Sequence, residues 1–193
     1  LSLDFLPYTG VDGVTNSAGG EVALPGWSLH KKYLNTDSRK AATITEMWRA
    51  PGSTAALEWR PYVSKFMTQN AAVSGLDIPV IRYADVVLLK SEALYNLNKK
   101  DEALVELNKV RARAFKGTAN NYTLADIATP EKYLDLLLLE RQLEFALENQ
   151  RWFDLVRNDR YVQALSEVEW GYNPVTGTAQ VVESGGYADG KYV

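Results

Sequence analysis

Residues 134–157 read Leu134-Asp-Leu-Leu-Leu-Leu-Glu140-Arg-Gln-Leu-Glu144-Phe-Ala-Leu-Glu148-Asn-Gln-Arg151-Trp-Phe-Asp-Leu-Val-Arg157, and their apolar spacing decides the fold. The leucines crowd round one helical turn and then settle to a stripe at Leu136, Leu139, Leu143 and Leu147, which is the spacing of a buried helix. Glu140, Glu144 and Glu148 recur every four residues, with Arg141 three before Glu144 and Arg151 three after Glu148. Such spacing predicts a face that pairs along its own length rather than a catalytic carboxylate pair. Thr129 and Pro130 supply a cap and a first helical position, so the helix is expected from there to about Glu148, with a break at Asn149 and Gln150. A shorter helix over 151–168 then offers Trp152, Phe153, Leu155 and Val156 for packing.

Working upstream, Pro79 marks the first turn of a helix over 80–97, in which Ala84, Leu88 and Tyr95 follow helical spacing. Asp101 reads as the cap of a second helix, carried by Ala103, Leu107, Val110 and Ala114 and ending before Gly117. Two helices joined by a short polar turn form an αα-hairpin like one tetratricopeptide unit. No second copy follows at the ~34-residue period, so the two later helices must cover it. The expected fold is mainly α: one tetratricopeptide-like hairpin plus two further helices round a single core.

The flanks follow a different grammar. Glycines and prolines punctuate residues 1–77 every few positions, which excludes long helices there. Loops, strands near 41–48 and 57–67, and a helical turn near 27–33 are expected; Thr43, Ile44 and Thr45 favour the pleated form in the first strand. Residues 169–193 return to Gly, Tyr, Asn and Thr, giving a loop with one strand near 179–183. The chain therefore divides into a loop-rich, ligand-facing segment (1–77), a helical core (78–168) and an irregular tail (169–193).

Composition removes several function classes. There is no cysteine, which excludes disulfide scaffolds, thiolate metal sites and thiol nucleophiles. The single histidine, His30, excludes His-pair metal sites and is expected to face solvent. A net charge of −3, with Lys and Arg scattered among acids, gives no footprint for nucleic acid. No apolar run of about 18 residues is present, and the N-terminus lacks the pattern of an export leader. Carboxylate-only calcium binding near Asp12 or Asp189 stays open, although no twelve-residue calcium loop appears. A two-carboxylate glycosidase would need a facing pair, for which Glu46 and Glu58 flank the aromatic segment. A tetratricopeptide-like scaffold gripping a protein partner is a third class, and only one hairpin supports it.

Three blocks resemble one known family: Ile78 to Leu94 (Ile-Pro-Val-Ile-Arg-Tyr-Ala-Asp-Val-Val-Leu-Leu-Lys-Ser-Glu-Ala-Leu), Glu102 to Ala114, and Glu140 to Leu155. In that order they are similar to the SusD/RagB-like outer-membrane glycan-binding proteins; Asp37-Ser38-Arg39 and residues 60–66 also resemble that family's loop region. The resemblance implies a non-catalytic lipoprotein on the outer face of the outer membrane, held by a lipid anchor and capturing glycan for a SusC-like TonB-dependent transporter. No cofactor is expected, and no residue is assigned to a metal. The resemblance also implies that the chain is the C-terminal portion of a longer protein, without that family's usual Pro-Ile-Pro strand and Gln-Asn-Pro-Gly-Tyr close. The shared blocks set helix packing, so the site residues are chosen on chemistry: Trp27, Trp48, Trp59 and Tyr62 as stacking platforms for sugar rings, with Asn35 and Asp37 as hydroxyl partners.

Overall fold

The computed structural model of the protein describes residues 6–7, 9–15, 17–20, 25–65, 67, 75, 77, 79–166, 169–173 and 178–182. Their order is α1 (Trp27–Lys32), α2 (Ser38–Thr43), β1 (Ile44–Trp48), β2 (Glu58–Val63), α3 (Tyr83–Asn96), α4 (Lys100–Ala114), α5 (Pro130–Glu144), α6 (Arg151–Arg157), α7 (Tyr161–Ser166), β3 (Glu169–Asn173) and β4 (Thr178–Val182). The fold is mainly helical, with two small antiparallel ribbons, β1-β2 and β3-β4. Two compact units divide it: residues 32–39 with 79–165, and residues 1–31 with 40–78 and 166–193. Residues 32–39 thus group with the helices and the tail with the N-terminal segments, unlike a division at 77 and 168.

In the helical unit, α3 buries Ala84, Val87, Leu88, Ser91 and Tyr95, while α4 buries Ala103, Leu107, Val110 and Ala114. Small residues let the two helices approach closely, and the Ser91 hydroxyl donates to the Ala103 carbonyl at 2.7 Å. Helix α5 closes the same core through Tyr133 and Leu137, with Phe145 just beyond its end. The Tyr133 ring lies 3.8 Å from that of Tyr95 at an interplanar angle of 3°. Thr129 accepts from the Lys132 amide and Pro130 occupies the first turn, as the cap pattern predicts.

Several boundaries differ from their expected places. Helix α3 starts at Tyr83, not Val80, because Arg82 is extended (φ −115°, ψ 154°) and sends its guanidinium to carboxylates of the α5 region. Val80 and Ile81 are 79% and 71% exposed. Asp101 lies inside the first turn of α4, where its charge suits the helix N-terminus, and Lys99 holds the cap position instead. Helix α5 stops at Glu144, with Leu147 and Asn149 following at φ 65° and 60°. What reads as one helix over 151–168 is two, α6 and α7, separated at Asp159 (φ 52°). Trp152, Phe153 and Val156 are exposed rather than packed, and α6 buries Asp154 and Leu155.

Helices α3, α4 and α6 end alike. A left-handed residue (Asn98, Lys116, Asp159) donates to the carbonyl three back, and the next amide reaches the carbonyl five back. This double bond pattern satisfies the last carbonyls of each helix. Gly117 therefore follows the left-handed position, which Lys116 takes.

In the other unit, residues 41–43 belong to α2, so the strand expected over 41–48 begins at Ile44. Helical hydrogen bonding through Ser38–Thr43 overrides the β-branched preference of Thr43. Strand β1 pairs antiparallel with β2, with a bulge between Thr45 and Met47. Leu6, Val11, Trp48 and Tyr62 form a small core, backed by Val14, Ala50 and Met67. Gly10 (φ +87°) sits where a Cβ would lie 2.7 Å from Ser17 Oγ, so only glycine fits. The tail carries a hairpin rather than a lone strand, with β4 over Thr178–Val182 paired to β3.

Candidate functional site

The six residues chosen on chemistry fall into two groups, each within one unit. Trp48 and Tyr62 are 8% and 5% exposed and share the small core. The Trp48 indole N–H donates to the Gly10 carbonyl at 2.8 Å, and the Arg60 guanidinium lies 4.6 Å from its ring centroid. Both side chains are thus buried against protein, and both residues are part of the β1-β2 ribbon itself. Trp59 lies on β2 opposite Met47, which is exposed, and Trp27 opens α1; the side chains of Trp27 and Trp59 are outside the described residues.

Asn35 and Asp37 share one turn of the helical unit, with the Asp37 amide donating to the Leu34 carbonyl at 2.9 Å. Asn35 is exposed, whereas Asp37 is only 2% exposed. Both Asp37 carboxylate oxygens accept from the Arg39 side chain, at 2.6–3.2 Å. Asp37 is therefore an anchor within the protein and not an open hydroxyl partner.

Arg39 in turn reaches Glu140, and here the charged stripe of α5 departs from its expected role. Its charges reach across to other elements. Glu140, fully buried, accepts from Arg39 at 2.6 Å and from Arg111 at 3.2 Å. Glu144 accepts from Arg82 at 2.9 Å and Arg113 at 2.5 Å, and Glu148 from Arg82 at 2.8 Å. Arg141 bridges Asp154 and Asp85, each at 2.7 Å. The Arg111 guanidinium stacks 4.0 Å from the Tyr122 ring centroid and 4.8 Å from that of Phe115. The stripe is thus the ionic centre of the helical unit, linking α5 to α3, α4, α6 and the 32–39 segment. Helical spacing showed the charges; their burial was hidden because partners far away in sequence, Arg39 among them, neutralise them.

Burial would lift the Glu144 carboxyl, but the bonds from Arg113 and Arg82 outweigh it and hold its pKa below the ordinary 4.5. Burial beside Glu140 pushes the Tyr122 phenol up to about 12. For Arg39, desolvation opposes the charge, yet Asp37 and Glu140 raise its pKa overall. Because the folded pKa of Glu144 is depressed, its contribution to stability is complete above the unfolded value near 4.5 and is lost as pH falls through the lower folded value. Thermal melting of the helical signal is therefore expected to be flat from about pH 7 to 5 and to fall below about pH 4.5. Glu144→Gln should flatten the fall; an unchanged melting temperature down to about pH 3 would contradict the assignment.

His30 does not face solvent. Its Nε2 lies 2.6 Å from Glu46 Oε1, an oxygen that also pairs with Lys40 at 2.8 Å. The Lys40 bond, followed by that of His30, outweighs burial and lowers the Glu46 pKa. This is the opposite of what a glycosidase general acid requires; the Glu58 side chain lies outside the described residues. Asp12 is exposed, 4.0 Å from Arg49, and Asp189 is outside the described residues. Among the described residues no cluster of three His, Asp or Glu is placed to hold a metal, and no helix is long and apolar enough to cross a membrane.

Comparison with known proteins supplies the family. SusD-like protein P38 of Formosa agariphila is 34% identical over 111 residues, covering 55% of this chain and 22% of that protein. SusD-like protein P2 of the same organism is 26% identical over 172 residues, covering 77% of this chain and 34% of that protein. The chain thus spans about a fifth to a third of the length of these curated relatives. Among solved structures, a SusD-like protein of Bacteroides fragilis superposes with a TM-score of 0.67 at 18% identity, covering 94% of this chain and 45% of that one. Surface glycan-binding protein A of Bacteroides fluxus gives 0.65 at 23% identity, covering 97% and 39%. These two share the fold. Residues 54–192 match the pattern of the SusD family, most of the chain's length, and the chain belongs to that family.

Proposed function

We propose that the protein captures glycans at the cell surface without making or breaking a bond, and passes them to a SusC-like TonB-dependent transporter at the outer membrane. Membership of the SusD family over residues 54–192 carries this reading, and the likeness in fold to a surface glycan-binding protein agrees with it. Sugar rings have apolar C–H faces edged by hydroxyls, so an aromatic face beside polar side chains suits them. With Trp48 and Tyr62 committed to the core, Trp59 and Trp27 are the proposed stacking residues of their unit, and Asn35 is proposed separately as a hydroxyl partner in the helical unit. Single sugar contacts are weak, so effective strength comes from repeated units on one polymer. The depressed pKa of Glu46 weighs against a general-acid role for that residue.

An oligosaccharide array screened with the intact protein tests the reading. Trp27→Ala and Trp59→Ala are each expected to weaken the strongest signals about tenfold, or roughly 1.4 kcal/mol. Turnover of any printed glycan would identify an enzyme instead. Peptide binding with no sugar bound would favour a protein scaffold.

A further inference from the structure

The segment 32–39 is the one stretch outside 79–165 that belongs to the helical unit, and it is fastened by side chains. Tyr33, buried, donates its hydroxyl to the Leu143 carbonyl at 2.8 Å, and Lys32 donates to Gln142 at 3.2 Å. At the other end Ser38 donates to the Ala114 carbonyl at 2.7 Å, and Arg39 joins Asp37 to Glu140. Between these anchors Leu34, Asn35 and Thr36 are exposed, Leu34 by 50%. An exposed tip with both ends locked loses little conformational entropy when it meets a ligand, which is how rigid scaffolds present contact residues. The tip offers an apolar patch from Leu34, an amide from Asn35 that both donates and accepts, and a hydroxyl from Thr36. That mixture matches a sugar ring, with its apolar face and its hydroxyl edge.

Resting on the glycan-capture reading, we propose that residues 34–36 are a preorganised contact element for a neutral oligosaccharide, and that Asp37, Arg39 and Glu140 are positioning residues behind it. Arg39 acts through the turn: its fork fills both oxygens of Asp37, whose amide closes the turn on the Leu34 carbonyl. The assignment turns Asp37 from a sugar contact into the residue that holds Asn35 in place.

The test uses the intact protein and the neutral oligosaccharide that gives the strongest wild-type array signal, titrated calorimetrically. Asn35→Ala and Thr36→Ala are each expected to weaken binding about fivefold with the melting temperature unchanged. Arg39→Lys, which keeps the charge but loses the fork, should weaken binding and speed hydrogen exchange at the Asp37 amide. Glu148→Gln, which breaks a neighbouring bond to Arg82, serves as a stability control and should lower the melting temperature while leaving both readouts alone. Wild-type binding with Asn35→Ala and Thr36→Ala unaffected would overturn the turn assignment and leave glycan capture standing. No sugar binding by the wild-type protein would bring down both. Unchanged exchange at Asp37 in Arg39→Lys would overturn the positioning role on its own.

Discussion

Glu140→Ala is expected to cost about 3–5 kcal/mol of stability in the helical unit. Glu140 is fully buried and takes Arg39 on one carboxylate oxygen and Arg111 on the other. Removing it leaves two guanidinium groups facing each other out of water, and neither can shed its charge at accessible pH. Arg111 would keep its bond to the Asn120 carbonyl and its stacking on Tyr122, and Arg39 would keep Asp37 and the more distant Glu144 at 3.6 Å, but the counter-charge between the two guanidinium groups would be gone. The loss measures an uncompensated buried charge rather than the net worth of the pair. Replacing Arg39, Arg111 and Glu140 together with apolar residues of similar volume should accordingly cost much less. Urea unfolding at neutral pH, followed by far-ultraviolet circular dichroism, reads both. A loss under about 1 kcal/mol for Glu140→Ala would show that water reaches the site.

Leu137→Ala is expected to cost about 2–5 kcal/mol by a different mechanism. Leu137 is fully buried, in the cluster that joins α5 to Leu88 of α3 and Leu107 of α4. Truncation removes the transfer free energy of its branched end and leaves a void whose size depends on how far the three helices relax. Those helices are pinned by the Ser91 bonds to Ala103 and Tyr133 and by the Tyr95–Tyr133 stack, so collapse is resisted and the upper part of the range is expected. Leu139→Ala, at a half-buried position two residues on and nearly opposite round the helix, should cost visibly less. The same unfolding measurement compares the two, and equal losses would contradict the assigned packing.

That comparison shows where sequence reasoning worked and where it ran out. Local signals were legible: the Thr129-Pro130 start, the αα-hairpin and the buried character of the leucine-rich helix all follow from interactions within a few residues. Of the stripe Leu136, Leu139, Leu143 and Leu147 only Leu143 is buried, because leucines nearly all round a turn leave the buried direction undefined; Tyr133, Leu137 and Leu138 face inward beside it. The pairing of Glu140 with Arg39 and the commitment of Asp37 are long-range or context-dependent facts with no periodic signature. For the candidate site, Trp48 and Tyr62 illustrate the same ambiguity, since a loop-borne aromatic serves equally as an anchor or a platform until its neighbours are known. Arg39 escaped notice as a functional residue, and its one signal was the Asp37-Ser38-Arg39 triplet inside a polar segment.

The ionic centre of the helical unit settles a question that leucines leave open. A cylinder oiled on nearly every side could seat itself at several azimuths against α3 and α4 with similar gain. Glu140, Glu144 and Arg141 lie at fixed angles round α5, and each finds opposite charge only when that cylinder is turned one way. Any other rotation would strand an ion in a dry interior, so the carboxylates act as a key that rejects wrong seatings more than as glue that strengthens the right one.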